Sequence, residues 1–253
     1  MFALLHHLFH PTNCYALCTV ARSGAHLLTA GLQATHLAGR PLQYFSNQLA
    51  PRYAARYGFD APRHFAQYVR GIVPAAATRN SVFGFRIESW YLDAFIARLR
   101  HSGEFGSPAA REIELLRSAF PALRCIQLTR GDKLRQAISK ARAMQTEIWV
   151  NGKDKLPRRE PEFDRELIAH CLLSARMSEE RWTAFFKCNG IEPLPITYED
   201  LCADYATTVG RVLDFLRIRP PRGFELGPPR TVRQADVLTE EWARRYLDDG
   251  GLS

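Results

Sequence analysis

Four short apolar segments, separated by stretches with helical periodicity, are the feature that most limits the possible folds. They lie at residues 14–21, 81–87 and 124–130, with a fourth, followed by a turn, within residues 192–201. Apolar runs of this length, bounded by turn residues, are typical of buried strands. Because strands that alternate with helices form parallel sheets with crossover helices, we expect an α/β protein with a central sheet flanked by helices.

The stretches between these segments carry helix signals of different strength. Apolar residues recur at helical spacing from Ala25, and Gly39 is the expected end of that helix. Residues 42–78 mix aromatic residues, arginines and prolines, which predicts short helices and loops. A long helix is expected to end at Gly190, and no segment has the clear composition of a linker. We therefore predict one domain over residues 1–253.

The balance of charge narrows the classes of partner. The chain of 253 residues carries a formal net charge of +8. That charge suits nucleic acid, an anionic membrane surface or a polyanionic small molecule, and alone it does not choose among them. The sequence has no recognition-helix motif, aromatic RNA-binding signature or dense lysine stripe, so we do not expect nucleic-acid binding. Arginines outnumber lysines, which favours recognition of phosphate or sulfate through paired hydrogen bonds.

Cysteine and histidine spacing argues against disulfides and metal sites. The six cysteines form no Cys-x-x-Cys pair, and thiols within apolar runs are usually reduced, which predicts a cytoplasmic protein. The apolar residues 1–11 lack a basic region and are too few to span a bilayer, so neither a signal peptide nor a transmembrane segment is expected. The histidines show no convincing ligand spacing, and we predict no bound metal.

The segment from Cys18 to Leu28, "CTVARSGAHLL", joins the first strand to the first helix through a polar turn. Backbone N–H groups at a helix N-terminus attract anions. Gly24 allows a ligand to approach the backbone closely, Arg22 can donate to two anionic oxygens, and Ser23 adds a hydroxyl. The turn therefore indicates an anion site, although a capped helix start with a surface arginine would give the same pattern.

The turn lacks the spacing of a Walker A loop and instead resembles the 5′-phosphosulfate loop of sulfotransferases. Those enzymes bind 3′-phosphoadenosine 5′-phosphosulfate (PAPS). Among them, the turn resembles that of the bacterial trehalose 2-sulfotransferase type, which reads Arg-Ser-Gly-Ser-Thr-Leu-Leu. Residues 22–24 and 27–28 match that loop, whereas Ala25 and His26 stand at its serine and threonine positions.

Further segments resemble the same family in chain order. They are residues 32–45, 82–90, 128–146, 196–201 and 233–246. They are similar, in turn, to the family's Gly-x-Pro turn with an aromatic pair, its Phe-Gly segment, its 3′-phosphate motif, its Tyr-Glu-Asp-Leu hallmark and its C-terminal elements. In the Phe-Gly segment, Arg86 takes the usual place of a lysine. Because the likeness spans nearly the whole chain, it implies the three-layer, P-loop-like sulfotransferase fold.

The resemblance implies that PAPS is held at two places along one edge of the sheet. The first loop would hold the 5′-phosphosulfate, a strand-end arginine and a helical serine would hold the 3′-phosphate, and C-terminal residues would close over the nucleotide. The implied binding residues are Arg22, Ser23, Gly24, Ala25, His26, Leu27, Arg130, Ser139, Arg233 and Gln234. From the residues alone, Arg130 could equally be a solvated loop arginine and Ser139 a neutral surface residue.

The catalytic residues are harder to read from the sequence. Sulfuryl transfer needs in-line attack by an acceptor hydroxyl, and Arg22 is expected to stabilise the charge that develops. The trehalose type places its proposed base, a glutamate, at the position of Gln43, and a carboxamide accepts no proton at neutral pH. Two replacements are open: Glu88, at the end of the second strand, and His26, in the loop. Glu88 could equally be a helix-start glutamate, and His26 could only hydrogen-bond the phosphosulfate.

These observations predict a PAPS-dependent sulfotransferase that acts on a carbohydrate or glycolipid acceptor. Residues 40–80 are expected to line the acceptor pocket, and Arg40 stands where the trehalose type has an acidic residue, which argues against trehalose. The alternative is a relative that binds the nucleotide but has lost turnover, which Gln43, Ala25 and His26 would explain. The resemblance also implies a homodimer.

Overall fold

The computed structural model describes residues 11–59, 64–149, 159–229 and 237–248. In these ranges, four strands form one sheet in the order β2-β1-β3-β4, and each neighbouring pair is parallel. The strands are β1 (Asn13–Thr19), β2 (Val82–Glu88), β3 (Arg124–Thr129) and β4 (Leu194–Thr197). The predicted α/β fold with a central parallel sheet is confirmed.

Helices separate and flank the strands. They are α1 (Ala25–Ala34), α2 (Ala50–Tyr57), α3 (Phe65–Ala75), α4 (Ser89–His101), α5 (Glu112–Ala119), α6 (Lys133–Thr146), α7 (Arg165–Asn189), α8 (Tyr198–Ala203), α9 (Tyr205–Phe215) and α10 (Val237–Asp248). The long helix α7 ends at Gly190, as predicted, with that glycine in the left-handed conformation. The turn predicted after the fourth strand is instead the short helix α8, which Thr197 caps.

The first helix is shorter than its pattern predicts. It ends at Ala34 with Thr35 as its cap, so the expectation that it runs to Gly39 is wrong. The hydroxyl of Thr35 accepts hydrogen bonds from the backbone N–H groups of Leu37 and Ala38, which turns the chain out of the helix. Gly39 instead lies against β2, where an added Cβ would be 2.9 Å from the backbone nitrogen of Gly84.

Side chains of the sheet alternate between two apolar layers. On β1, Cys14, Ala16 and Cys18 pack into the layer that contains α2, α3, α4 and α5, whereas Tyr15 and Leu17 pack into the layer that contains α1 and α9. Successive residues of a strand point to opposite faces, so a strand covered on both sides reads as a continuous apolar run. This explains why the strands were recognisable in the sequence.

The strand register brings all four carboxyl ends to one edge of the sheet. Thr19 pairs with Glu88 on one side and with Leu128 on the other, and Thr129 pairs with Thr197. The chain passes from β1 to β2 on one side and later returns to β3 on the other side of β1. Such a switch in direction leaves a crevice beyond the carboxyl ends of the strands, where α/β proteins bind ligands.

Several expectations concern other properties of the chain. No helix among the described residues is both long enough and apolar enough to cross a bilayer. Arg233 and Gln234 lie outside the described residues. The single domain, the homodimer and the cytoplasmic location stay predictions.

Candidate functional site

The loop after β1 has the conformation of a ligand-binding turn. The backbone nitrogen of Ser23 donates to the carbonyl of Val20 over 3.2 Å. Arg22 has φ of 66° and Gly24 has φ of 90°, both in the left-handed region. A non-glycine residue held there costs about 1–3 kcal/mol, and such strain concentrates at functional sites. Because no side chain caps α1 at Gly24, the first N–H groups of this helix are available to an anion.

Arg22 reaches across the crevice from this loop to α6. Its Nε donates to Oγ of Ser139 over 2.9 Å, and its Nη1 donates to the carbonyl of Trp149 over 2.5 Å. Burial and then the neighbouring charge of Arg130 lower the pKa of Arg22 to about 10. The guanidinium therefore stays charged at neutral pH, within an excess of positive charge that favours an anionic ligand.

Arg130 follows β3 and is buried at the same edge. It is 8% exposed, and its Nε has no hydrogen-bond partner among the described residues. Its guanidinium lies over the ring of Tyr198, 4.5 Å from the centroid. Burial lowers the pKa of Arg130, and Tyr198, Asp132 and Glu199 oppose that shift. A buried cation with an unused donor is costly, and an anionic ligand that accepts from it would remove that cost.

Tyr198 and Glu199, at the start of α8, fix the two loops of the site. Tyr198 packs so closely on Gly24 that an added Cβ would lie 2.6 Å from its Cδ2. The Glu199 carboxylate accepts from the backbone nitrogens of Gly131, over 2.9 Å, and Asp132, over 3.2 Å. Burial would raise the pKa of Glu199, but these hydrogen bonds outweigh it and lower the pKa. Both residues therefore brace the loops that carry the arginines.

Two further buried polar groups, in the loop and beside it, make no hydrogen bond within the described residues. The hydroxyl of Ser23 is fully buried and has no partner within the described chain. Gln136 donates from Nε2 to the carbonyl of Ala21 over 2.9 Å, and its buried Oε1 is unpaired among the same residues. Buried polar groups are normally hydrogen-bonded, so these groups fit a site completed by a ligand. The residues present therefore suit an anionic ligand.

We call Arg130, Gln136 and Ser139 the β3 flank of this loop. The structure brings Arg22, Arg130 and Ser139 to one edge of the sheet, where Ser139 accepts from Arg22 and the charge of Arg130 acts on Arg22. Their roles towards PAPS stay predictions. Gln136 was missed by the sequence reasoning, although it lies three residues before Ser139 on the same helix and so faces a similar direction. The carbonyl of Trp149 was also missed, and nothing in the sequence pointed to it.

The remaining loop residues offer mainly backbone. Ala25 is buried, and Leu27 packs partly buried in the apolar layer with α9. Their side chains therefore pack against the protein and support the loop. His26 has an exposed side chain, yet reduced hydration in the site and then the charges of Arg86 and Arg22 lower the pKa of His26 to about 4. Its imidazole is neutral at physiological pH.

We call Arg86, Glu88, Gln43 and Trp90 the β2 flank. Arg86 is 9% exposed, and its Nε has no hydrogen-bond partner in the described structure. The segment containing Gln43 runs beside β2, since the backbone nitrogen of Arg86 donates to the carbonyl of Leu42 over 2.9 Å. This pairing carries Gln43 to the end of β2, where Glu88 lies.

Glu88 is held by two uncharged donors. Nε2 of Gln43 donates to its Oε1 over 2.7 Å, and Nε1 of Trp90 donates to its Oε2 over 3.0 Å. Glu88 occupies the N-cap position of α4, yet its side chain makes no capping hydrogen bond. Gln43, which stands at the position of the family's proposed base, and Glu88, one of its two candidate replacements, are therefore one hydrogen-bonded pair.

Part of the expected acceptor pocket is core instead. Tyr44 and Phe45 are 0% and 1% exposed, and their rings pack among other aromatic side chains beneath β2. The aromatic pair therefore stabilises the fold, while Tyr53 and Tyr57 nearby are only partly buried. No group of three or more potential metal ligands occurs within the described ranges.

Comparisons with known proteins agree with this architecture. A family model described as Stf0 sulphotransferase matches residues 14–249. A trehalose 2-sulfotransferase of Mycolicibacterium smegmatis is 29% identical over 95% of this chain and 96% of its own length. One from Mycobacterium tuberculosis is 28% identical over 92% and 93%. The solved sulfotransferase domain of the curacin biosynthetic pathway shares the fold, with a TM-score of 0.53 and 16% identity over 91% of this chain and 82% of that domain.

Proposed function

Because the chain belongs to the Stf0 sulphotransferase family, and is therefore a sulfotransferase, we propose that it transfers the sulfuryl group of PAPS to a hydroxyl of a carbohydrate or glycolipid. The observation that carries this proposal is the buried, unpaired Nε of Arg130 at the same sheet edge as Arg22 and the buried hydroxyl of Ser23. PAPS has two anionic ends, and donors in the loop after β1 and on the residue after β3 support binding of both.

Different residues would bind the two anionic ends of PAPS. PAPS supplies the sulfuryl group, which leaves the 5′-phosphate as the acceptor oxygen attacks. Arg22, Ser23 and the first N–H groups of α1 would stabilise the negative charge on the sulfuryl and phosphate oxygens. Arg130 and Ser139 would hold the 3′-phosphate through charge-assisted hydrogen bonds. The binding is largely positional, as expected for a transfer with little covalent chemistry for the protein to do.

The acceptor class is supported by the named relatives, which act on trehalose according to their names. Three positions on or near the β2 flank differ from the trehalose type. Arg40 replaces an acidic residue, Arg86 a lysine and Gln43 a glutamate. We therefore propose a carbohydrate or glycolipid hydroxyl as the acceptor and do not assign trehalose itself.

The experiment measures transfer and nucleotide binding separately. Protein is incubated with sulfur-labelled PAPS and a panel of trehalose, other sugars and bacterial glycolipids, and binding of 3′-phosphoadenosine 5′-phosphate (PAP) is measured by calorimetry. Arg22→Ala is expected to lower transfer about 10²–10³-fold, the usual effect of removing one transition-state donor. Arg79→Ala is the matched control, because Arg79 is exposed and precedes β2 at the opposite edge of the sheet. PAP binding without transfer to any acceptor would instead favour a nucleotide-binding module.

A further inference from the structure

The carboxylate of Glu88 stands on the opposite side of the first loop from the groups that fit the nucleotide. β1 lies between β2 and β3, so the β3 flank and the β2 flank are on different sides of the loop that follows it. Thr19 pairs directly with Glu88, which places the Glu88 backbone about 5 Å from the strand that carries the loop. If the donor extends towards Arg130, in-line attack brings the acceptor hydroxyl from the side of β2.

From this placement we propose that Glu88 is the catalytic base that accepts the acceptor proton, and that Gln43 is a positioning residue that holds its carboxylate. The proposal rests on the proposed function. In the step, the acceptor oxygen forms a bond to sulfur while the bond from sulfur to the bridging phosphate oxygen breaks. The hydroxyl proton passes to a carboxylate oxygen of Glu88, and PAP leaves with the bonding electron pair.

The local contacts of Glu88 favour this role over a structural one. Its side chain does not cap α4, although it occupies the capping position. Gln43 and Trp90 each donate one hydrogen bond to it, one per oxygen. Each carboxylate oxygen has two lone pairs, so both keep capacity for a further donor such as the acceptor hydroxyl. The two uncharged donors fix the orientation of the carboxylate without neutralising it.

Other acidic side chains at this edge are already engaged. Glu199 accepts from two loop amides, and Asp132 caps α6 and pairs with Arg135. Glu179 lies 2.8 Å from the ammonium of Lys133. Glu88 has no ion pair within the described part of the chain. It is therefore the carboxylate of this group that remains able to act on a substrate.

His26 is a weaker candidate for the same task. Its closest charged neighbours are Arg86 and Arg22, and a protonated imidazole would add a third positive charge beside them. Protonation of Glu88 removes a charge from the site, whereas protonation of His26 adds one beside the two arginines that lower its pKa. His26 can still donate a hydrogen bond in its neutral form.

The test compares Glu88→Gln with Glu192→Gln, a change at an exposed glutamate that precedes β4 at the far edge of the sheet. Transfer from labelled PAPS is measured with each acceptor used by the wild type and with water, alongside calorimetric binding of PAP. Glu88→Gln is expected to lower kcat about 10²–10⁴-fold with PAP affinity within twofold of the wild type. Glu192→Gln should match the wild type in both measurements.

Gln43→Leu tests the positioning role. It should lower kcat by up to about 10²-fold with little change in KM, because a displaced base loses its reach. Combined with Glu88→Gln it should cause no further loss, since Gln43 acts through Glu88. Without any turnover, the ¹H–¹⁵N spectrum reports the same contacts: Glu88→Gln should shift the indole N–H resonance of Trp90 and the side-chain amide resonances of Gln43.

The outcomes separate the two proposals. If the wild type transfers sulfate and Glu88→Gln retains its kcat, or loses only acceptor affinity, the base assignment is wrong and the sulfuryl transfer stands. Additive losses in the double variant, or unchanged side-chain amide resonances of Gln43 in Glu88→Gln, would overturn the role of Gln43. If the wild type binds PAP but transfers to no acceptor, water included, the proposed function fails and the base assignment fails with it.

Discussion

The two flanks of the first loop differ in how completely their groups are tied together. On the β3 flank, Ser139 accepts a hydrogen bond from Arg22 of the loop, and Arg130 lies on the Tyr198 ring. The Glu199 carboxylate accepts from the backbone amides that follow Arg130. On the β2 flank, one carboxylate is held by two neutral donors, and the buried Nε of Arg86 has no partner in the described structure. The β3 flank combines one arginine with two uncharged polar side chains, whereas the β2 flank contains an arginine and a carboxylate of opposite charge.

This difference matches the way the two flanks relate to the family. The β3 flank keeps the arginine and serine that the resemblance implies, as expected for a site that recognises a donor with fixed chemistry. Departures from the family pattern lie in the loop, at Ala25 and His26, and beside β2, at Gln43, Arg86 and Arg40. Under the proposed function, the 3′-phosphate and the acceptor would be bound beside different strands, so the acceptor side could change with little effect on Arg130 and Ser139.

The largest expected effect on nucleotide binding tests whether the β3 flank is specific for the 3′-phosphate. Arg130→Ala should weaken PAP binding about 10–100-fold, because hydrogen bonds to charged groups contribute about 1.5–3 kcal/mol. Binding of adenosine 5′-phosphate, which lacks the 3′-phosphate, should change little. Calorimetry with both nucleotides gives the ratio. An equal loss for both ligands would mean that Arg130 supports the fold of the site and does not read the 3′-phosphate.

A smaller effect tests how tightly Gly24 of the loop packs against Tyr198. Gly24→Ala introduces a Cβ at φ of 90°, 2.6 Å from Tyr198, whereas Gly58→Ala introduces one at φ of 76° with nothing within 4 Å. Both should lower the free energy of unfolding by roughly 1–2 kcal/mol through backbone strain. Only Gly24→Ala should also weaken PAP binding. Denaturant unfolding and calorimetry check this, and equal PAP affinity in both variants would argue against a tight fit.

The smallest effect concerns the titration of His26, in the loop beside the β2 flank. Since the folded pKa of His26, about 4, lies below the ordinary value of 6.5, the imidazole favours folding above pH 6.5, and this contribution is lost as pH falls towards 4. NMR titration of His26 should show no midpoint between pH 5 and 8. Saturation with PAP should raise the pKa, because the anion offsets the arginines. A midpoint near the ordinary value in the free protein would contradict the influence of Arg86 and Arg22.

The sheet and the position of Arg130 at its edge could be predicted from the sequence. The contacts between segments that are distant in the chain could not. The four strands read as apolar runs because both faces of the sheet are covered, and parallel strands place Arg22 and Arg130 at one edge. The end of α1 was wrong because the hydroxyl of Thr35 ends the helix while the apolar periodicity continues. The pairing of Gln43 with Glu88 depends on an irregular segment that runs beside β2, which no local pattern indicates.

The ring of Tyr198 packs between the backbone of Gly24 and the guanidinium of Arg130. It is contributed by the segment after β4, the strand at one border of the sheet and the last of the four in the chain. During synthesis, the loop after β1 and the arginine after β3 leave the ribosome well before this ring is available to lock them. The contact that braces this edge is therefore completed late in assembly, and a chain cut short of β4 would keep both arginines yet lack the ring that packs between their loops.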